Sequence, residues 1–441
     1  MNRYLYIGID LGTTYIKGVL VDDSKCIIAS GKREMVYIEQ PDGFMEVDPE
    51  YLFKIVCDLL KEFSILAINI GKIKAICFSG ATGNTLLLDD NNTPLTNIIS
   101  WLDTRPVQTS FTTDEVYPIT GWPRVENFPL AHLSWLKNNS TETYRKAKHI
   151  VMNNDYLIFR LTGQFVLDYS TASTFHLFNQ VERVWHKPFL DKLNISEGQL
   201  SIPVPTGSEI GTLLPKLEKK TGLSSDTMVV AGSFDHPAAA RAVNVLNEGE
   251  LLFSCGTSWV GFYPHMNRKA ALKQKGIIDP FLSQDGGPWG VLLSISKLGL
   301  KIDSWITKIS ELFKIPLEEK FQFFNNEANK SLKGVNDVGI NLLDSNEFEI
   351  LDQKPVGNIA RAIMENAAFL LKEKIEQIKL SGIIPKHIIM VGGPTNSTIW
   401  PNIISDIIEI EIMIKEGEFA GALGAAKISI ESFQFSKRNA Y

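Results

Sequence analysis

Positions 4–10 alternate and are rich in β-formers, and positions 17–22 read as a second strand, with the small polar run Gly12-Thr13-Thr14 between them. Period-two alternation around such a turn predicts a β-hairpin rather than a strand feeding a helix. Positions 26–29 read as a third strand. Asp48 followed by Pro49 marks a helix start, and Leu52, Ile55, Val56, Leu59 and Leu60 then fall on one helical face. A short buried strand follows at 74–78 and ends at Ser79-Gly80. Strand pairs followed by crossover helices imply an α/β fold with a mixed sheet.

Residues 104–145, rich in proline and aromatics, carry no assignable periodicity. A helix is expected over 154–161, stopped by Gly163, and a strand over 228–231, leading to Gly232-Ser233-Phe234-Asp235-His236-Pro237 and a packed helix from 238. Positions 251–254 and 259–263 form a second strand pair around Gly256-Thr257-Ser258. This pair echoes the N-terminal hairpin half a chain later, so two related domains facing across a cleft are expected, with a boundary near 245. Ile359, Ile363, Phe369, Leu370 and Ile378 predict a long helix closed by Gly382. A strand over 387–391 then opens into Gly392-Gly393. The last helix carries Gly421, Ala422, Gly424, Ala425 and Ala426, which let backbones approach closely.

Composition narrows the class. A chain of 441 residues can bury a large core, and its 21% charged content is ordinary for a globular protein. The net charge of −6 provides no broad basic field for nucleic acid or anionic membrane, so a phosphate ligand would need local backbone amides. Cys26, Cys57, Cys77 and Cys255 have no zinc-like or redox-like spacing and read as mostly buried thiols. Positions 1–10 hold no signal sequence, and nowhere do 18 apolar residues run together, so a cytoplasmic location is expected.

Several residues are candidates for chemistry. Asp10 at a strand end can support a magnesium ion through waters. Gly12, Thr13 and Thr14 can wrap phosphate oxygens, with Lys17 adding charge, and Gly256-Thr257 offers a similar turn. Each is equally readable as a plain polar turn. Gly392-Gly393 can bring backbone close to a base or ribose, or be structural. Asp235 can accept a hydroxyl proton or cap the following helix. His236 can contact a sugar or be an ordinary polar residue. Trp101 offers a face for a sugar ring, while Asp103 and Arg105 can pair to lock their loop. His132 and His176 belong to no metal-ligand grouping.

Taken in order, these pieces resemble the FGGY family of carbohydrate kinases within the actin-like ATPase superfold. The matching runs are Gly8-Ile9-Asp10-Leu11-Gly12-Thr13-Thr14, Asp48-Pro49, Ser79-Gly80 and Trp101-Leu102-Asp103-Thr104-Arg105. Leu161-Thr162-Gly163, Asp168 to Ser173, Gly232 to Asp235 and Gly256-Thr257 continue the series. Val391-Gly392-Gly393, Asn396 and Gly421 to Ala426 complete it. The resemblance implies two actin-like (ribonuclease H-like) domains with mixed five-stranded sheets flanked by helices. Residues 1–245 would bind sugar and phosphate, and residues 246–441 the nucleotide. It also implies that the domains close over the substrates and exclude water.

By the same resemblance Asp10 supports Mg²⁺ and Asp235 is the general base. Gly12, Thr13, Thr14, Lys17, Gly256, Thr257, Gly392, Gly393 and Asn396 bind ATP, and Thr82, Gly83, Trp101, Asp103, Asp235 and His236 are the candidates for the sugar. One departure bears on specificity. Many relatives carry Gln-x-His-Gly after Ser-Gly, whereas here the run is Ala81-Thr82-Gly83-Asn84, so the glutamine and histidine are missing. Phe53 also stands where tryptophan is common. The expected activity is phosphorylation of a hydroxyl of a pentulose or hexulose, with a kinase for glycerol, a sugar acid or another polyol as the alternative. A non-catalytic ATP-binding switch is the alternative of another class. A homodimer is expected from family habit alone.

Overall fold

A computed structural model of the protein describes residues 3–334, 338, 340–342 and 354–438. The chain divides into two compact units, the first comprising 1–244, 277–289 and 419–441, the second 245–276 and 290–418.

In the first unit six strands form one sheet. They are β1 (Tyr4–Leu11), β2 (Tyr15–Asp22), β3 (Ile27–Glu34), β4 (Lys72–Gly80), β5 (Glu209–Thr212) and β6 (Met228–Phe234), in the order β5-β6-β4-β1-β2-β3. The β1–β2 hairpin and β3 are antiparallel, whereas β4 runs parallel to β1 and β6 parallel to β4, so the sheet is mixed as expected. The sixth strand beyond the expected five is β5, a short edge strand antiparallel to β6. The helix Pro49–Ala67 starts as its sequence predicts, with the Asp48 carboxylate accepting from the Glu50 amide at 2.8 Å. Its buried face includes Phe53, Val56, Leu59, Leu60 and Phe63, and it covers β1 and β2.

Two differences have clear physical reasons. β6 continues to Phe234 instead of stopping at 231, because its register shifts between Val230 and Ser233 and pairing with β4 then resumes. Gly232 permits that shift, since a Cβ there would lie 1.7 Å from the Phe78 carbonyl oxygen. The unassigned stretch 104–145 holds the helices Thr113–Thr120, Pro129–Asn139 and Thr141–Lys146. Pro118 lies inside the first and Gly121 (φ +73°) ends it, which obscures its periodicity.

The last helix, Ala420–Arg438, belongs to the first unit, although it lies within the expected C-terminal domain 246–441. Ala422, Ala425, Ala426, Ile428 and Ile430 share a core with Tyr6, Val19, Val21, Ala75, Cys77 and Val230. Its small residues set the contact distance. A Cβ on Gly424 would lie 1.9 Å from the Ala238 carbonyl oxygen, and one on Gly8 would lie 1.9 Å from that of Ala422. Because both obstacles are backbone, Gly424→Ala is expected to destabilise the first unit by about 1–3 kcal/mol. Urea unfolding checks this, and an unchanged midpoint would contradict the packing described.

In the second unit β7 (Glu250–Cys255), β8 (Trp259–His265), β9 (Trp289–Ile295), β10 (His387–Gly392) and β11 (Ile412–Ile414) lie in the order β9-β8-β7-β10-β11 within a sheet that, like the first, has six strands rather than the expected five. β7 and β8 form the second hairpin, and β10 runs parallel to β7. The long helix is Val356–Leu380, with Ile359, Ile363 and Ile378 buried as predicted, whereas Phe369 is 45% exposed. Cys57, Cys77 and Cys255 are buried and Cys26 is exposed. Among the described residues no helix is long and apolar enough to cross a membrane.

Candidate active site

At the C-terminal end of β1, Asp10 sits opposite Lys17 in the hairpin and beside Ser79 of β4. The Ser79 hydroxyl donates to Asp10 Oδ1 at 3.3 Å. Burial, then the nearby Asp235 charge, pushes Asp10 up to about 7, opposed by Lys17 and Ser79. Gly421, in the first turn of the last helix, leaves room for this carboxylate, since a Cβ there would lie 2.6 Å from Asp10 Oδ2. The turn itself is pinned by backbone contacts. Tyr37 donates its hydroxyl to the Thr13 carbonyl at 2.8 Å, and the Met35 amide donates to the Thr14 carbonyl at 2.9 Å.

Asp235 is the first residue of the helix Asp235–Val243, directly after β6. It does not cap that helix in the usual way, because the N-cap position is Phe234. Its Oδ1 accepts from the His236 amide at 2.6 Å. Burial pushes the carboxyl above its ordinary range, against the lowering influence of His236. The Phe234 amide donates to Ser170 Oγ at 3.0 Å, and that hydroxyl donates to the buried Asp279 at 2.5 Å. This chain fixes the backbone entering Asp235, and neither Ser170 nor Asp279 was singled out for it from the sequence.

The altered segment 81–84 and the tryptophan loop meet near the first turn. Gly12, Thr13, Ala81, Asn84 and Trp101 line one cavity of about 20 Å³, room for about one water. Thr82 is buried, and Gly83 holds φ +84° with the Phe128 ring against its Cα. Asp103 is fully engaged by Arg105 of its own loop and by the Met45 amide of a neighbouring strand. Its Oδ1 accepts from Arg105 Nε at 2.7 Å and its Oδ2 from the Met45 amide at 2.8 Å, while Arg105 also pairs with Glu46 at 2.7 Å. Burial alone would raise the Asp103 carboxyl, but these partners hold it below the usual range.

In the second unit the sequence-predicted turns converge on one pocket of about 1050 Å³, lined among others by Gly256, Thr257, Gly393 and Asn396. Cys255 and Gly392 are register partners on β7 and β10, so the two turns leave the sheet side by side. Gly392 stands at φ +105°, and a Cβ there would lie 2.6 Å from the Cys255 carbonyl oxygen. The sequence reading missed the opposite wall. Gln322, Asn325 and Asn326 reach the pocket from the helix Lys320–Asn329, and Trp400 closes another side. Their signal was an i, i+3, i+4 run of amide side chains. The pocket's polar turns, amide wall and apolar side chains suit a nucleotide.

A magnesium ion retains several waters and takes one or two carboxylates rather than a full protein cage. Asp10, with Asp235 close enough to repel it, is a donor set of that kind, and a cation would relieve the repulsion. Asp10 would hold the ion and Asp235 would flank it.

The raised Asp10 carboxyl also has a consequence for stability. Between about pH 4 and pH 7 the folded protein keeps a proton that the unfolded chain gives up, so this group's contribution falls as pH rises through that window. Asp10→Asn is therefore expected to raise the melting temperature of the nucleotide-free protein more at pH 8 than at pH 5. Equal gains at both pH values would rule out this titration.

The N-terminal domain of the FGGY family of carbohydrate kinases matches residues 5–241, and its C-terminal domain matches residues 251–430. The xylulose kinase of Bacillus subtilis (strain 168) is 28% identical over 96% of this chain and 87% of its own length. The gluconokinase of the same organism is 26% identical over 98% of this chain and 88% of its own. Among solved structures, a ligand-bound xylulose kinase from Lactobacillus acidophilus superposes with a TM-score of 0.83 at 23% identity, covering 98% of this chain and 90% of its own. The Plasmodium falciparum glycerol kinase with ADP gives 0.84 at 20% identity, with the same coverage of each chain.

Proposed function

The chain belongs to the FGGY family of carbohydrate kinases, and from that premise we propose that it transfers the terminal phosphoryl group of ATP to a hydroxyl of a small ketose, with Asp235 as the base. The observation that carries this is the placement of Asp235. It stands at the end of a strand and the start of a helix, with Oδ1 fixed by the His236 amide. Oδ2 is the oxygen left to meet a substrate hydroxyl. The raised basicity of the buried carboxylate suits it to take the proton as the new O–P bond forms and the bond to the departing diphosphate breaks.

In this reading the 1050 Å³ pocket of the second unit holds the nucleotide, with Gly256-Thr257 against its phosphates, Gly393 and Asn396 toward its nucleoside, and Gly392 beside them at the end of β10. Gly12, Thr13, Thr14 and Lys17 supply amides, hydroxyls and a cation for the transferring group. Mg²⁺ supported by Asp10 would neutralise phosphate charge. Thr82, Gly83, Trp101 and His236 wall the sugar, while Asp103 acts through the loop that carries Trp101. The protein is then a cytoplasmic small-molecule kinase.

The test is ADP release with MgATP across ketoses, polyols and sugar acids. Strong stimulation by a ketose supports the reading and names the acceptor. Preference for a sugar acid or glycerol would overturn the ketose assignment, and ATP binding without stimulation by any acceptor would overturn the kinase reading.

A further inference from the structure

Four rings in the first unit stand against one another. Centroids of Trp122 and His176 are 5.3 Å apart, those of Trp122 and Phe128 5.0 Å, and those of Phe128 and His176 4.6 Å in a stacked pair. Phe234, whose ring lies 5.6 Å from Trp122, immediately precedes Asp235, so the cluster abuts the proposed base. An aromatic core of this kind would ordinarily be apolar throughout. Here Trp122 Nε1, both ring nitrogens of His176, His132 Nε2 and Thr82 Oγ1 are buried without a protein partner among the described residues. Folded proteins pair nearly all such atoms, and each unpaired one is costly unless something outside the chain completes it.

His176 carries two further marks of a functional position. It is 0% exposed, and its backbone holds φ +60°, a conformation that costs energy in a non-glycine residue and collects at ligand sites. Burial pushes the His176 and His132 imidazoles down to about 3, so each is uncharged at neutral pH. A neutral imidazole with both nitrogens open offers one donor and one acceptor. Its natural complement is a group that both donates and accepts, which is a hydroxyl.

The missing side chain at Gly83 takes part in this arrangement. At φ +84°, a Cβ there would lie 2.4 Å from the Phe128 ring. The absence of a side chain at Gly83 thus lets Phe128 pack against the backbone and stack on His176.

We propose that Trp122 and His176 read hydroxyls of the sugar acceptor and set which polyhydroxylated compound is phosphorylated. Trp122 Nε1 donates to one hydroxyl oxygen. His176 donates to one hydroxyl and accepts from another, and the Phe128 face covers the carbon–hydrogen side of the chain. This rests on the kinase reading and on Asp235 marking the reacting end.

The experiment is steady-state kinetics of the full chain with its best acceptor and a monodeoxy series of that acceptor, for wild type, Trp122→Phe and His176→Asn. Trp122→Phe removes the N–H together with part of the buried indole, so the free-protein melting temperature should fall somewhat while KM for ATP should not move. KM for the acceptor should rise about tenfold. One monodeoxy analogue, poor for wild type, should be used equally by wild type and Trp122→Phe, because the contact is absent from both. His176→Asn, which tolerates the left-handed backbone, should shift the preference to a different analogue. If wild type responds to an acceptor and both variants keep its KM values across the series, the two side chains are structural and the proposal is overturned. If no acceptor stimulates wild type, the kinase reading fails first and this inference falls with it.

Discussion

Asp235→Asn is expected to lower turnover by about 10²–10⁴-fold while leaving nucleotide affinity within about twofold. The substitution is nearly isosteric, and the new amide oxygen can still accept from the His236 amide, as Oδ1 does at 2.6 Å. The hydroxyl bridge from Ser170 to the Phe234 amide is untouched, so the backbone entering position 235 keeps its course. What disappears is the ability to take a proton. Since burial raises the Asp235 carboxyl, removing its charge should not cost stability, and the variant's melting temperature should equal or exceed the wild type's. The measurements are kcat for the best acceptor and KM for ATP. A variant retaining a tenth or more of wild-type turnover would exclude Asp235 as the base.

The second large effect lies away from the proton transfer. Arg105→Met should destabilise the protein by about 3–5 kcal/mol, because it strands a buried carboxylate. Asp103 and Arg105 are both buried, and the guanidinium spans Asp103 on one side and Glu46 on the other. Its plane also lies 4.1 Å from the Phe44 ring and 4.7 Å from that of Trp135. Methionine can fill much of this space but neutralises neither acid. The penalty should shrink at pH 5 relative to pH 8, where a stranded Asp103 can no longer take up a proton. Adding Asp103→Asn to Arg105→Met should recover part of the loss. Urea denaturation of the single and double variants measures both effects. A loss below 1 kcal/mol, or one independent of pH, would mean that this pair contributes little.

Much of the scaffold was legible because its signals are local. The two Gly-Thr hairpins, the Asp48-Pro49 helix start and the Gly163 stop depend on residues within a few positions of one another, and each stands where it was expected. What escaped depends on distant partners. β6 runs past 231 because β4 pairs with it again beyond Gly232, and the edge strand β5 exists only because β6 is there to receive it. The same holds for the site. Asp10 and Asp235 could be marked from their neighbours in sequence, but their mutual repulsion could not. Trp122 and His176, 54 positions apart, show no motif at all, and only their ring contact and unpartnered nitrogens single them out.

The return of the last helix to the first unit also bears on how the protein is made. Its residues Ala422, Ala425, Ala426, Ile428 and Ile430 complete the core behind β1, β2, β4 and β6, yet they are synthesised only after the second unit. Until they leave the ribosome, Tyr6, Val19, Val21 and Val230 lack their cover, and the nascent first unit presents an apolar sheet face during elongation of the entire second unit. A stop codon just before position 420 would therefore damage the first unit rather than the second, and would turn the product into a chaperone client or an aggregate.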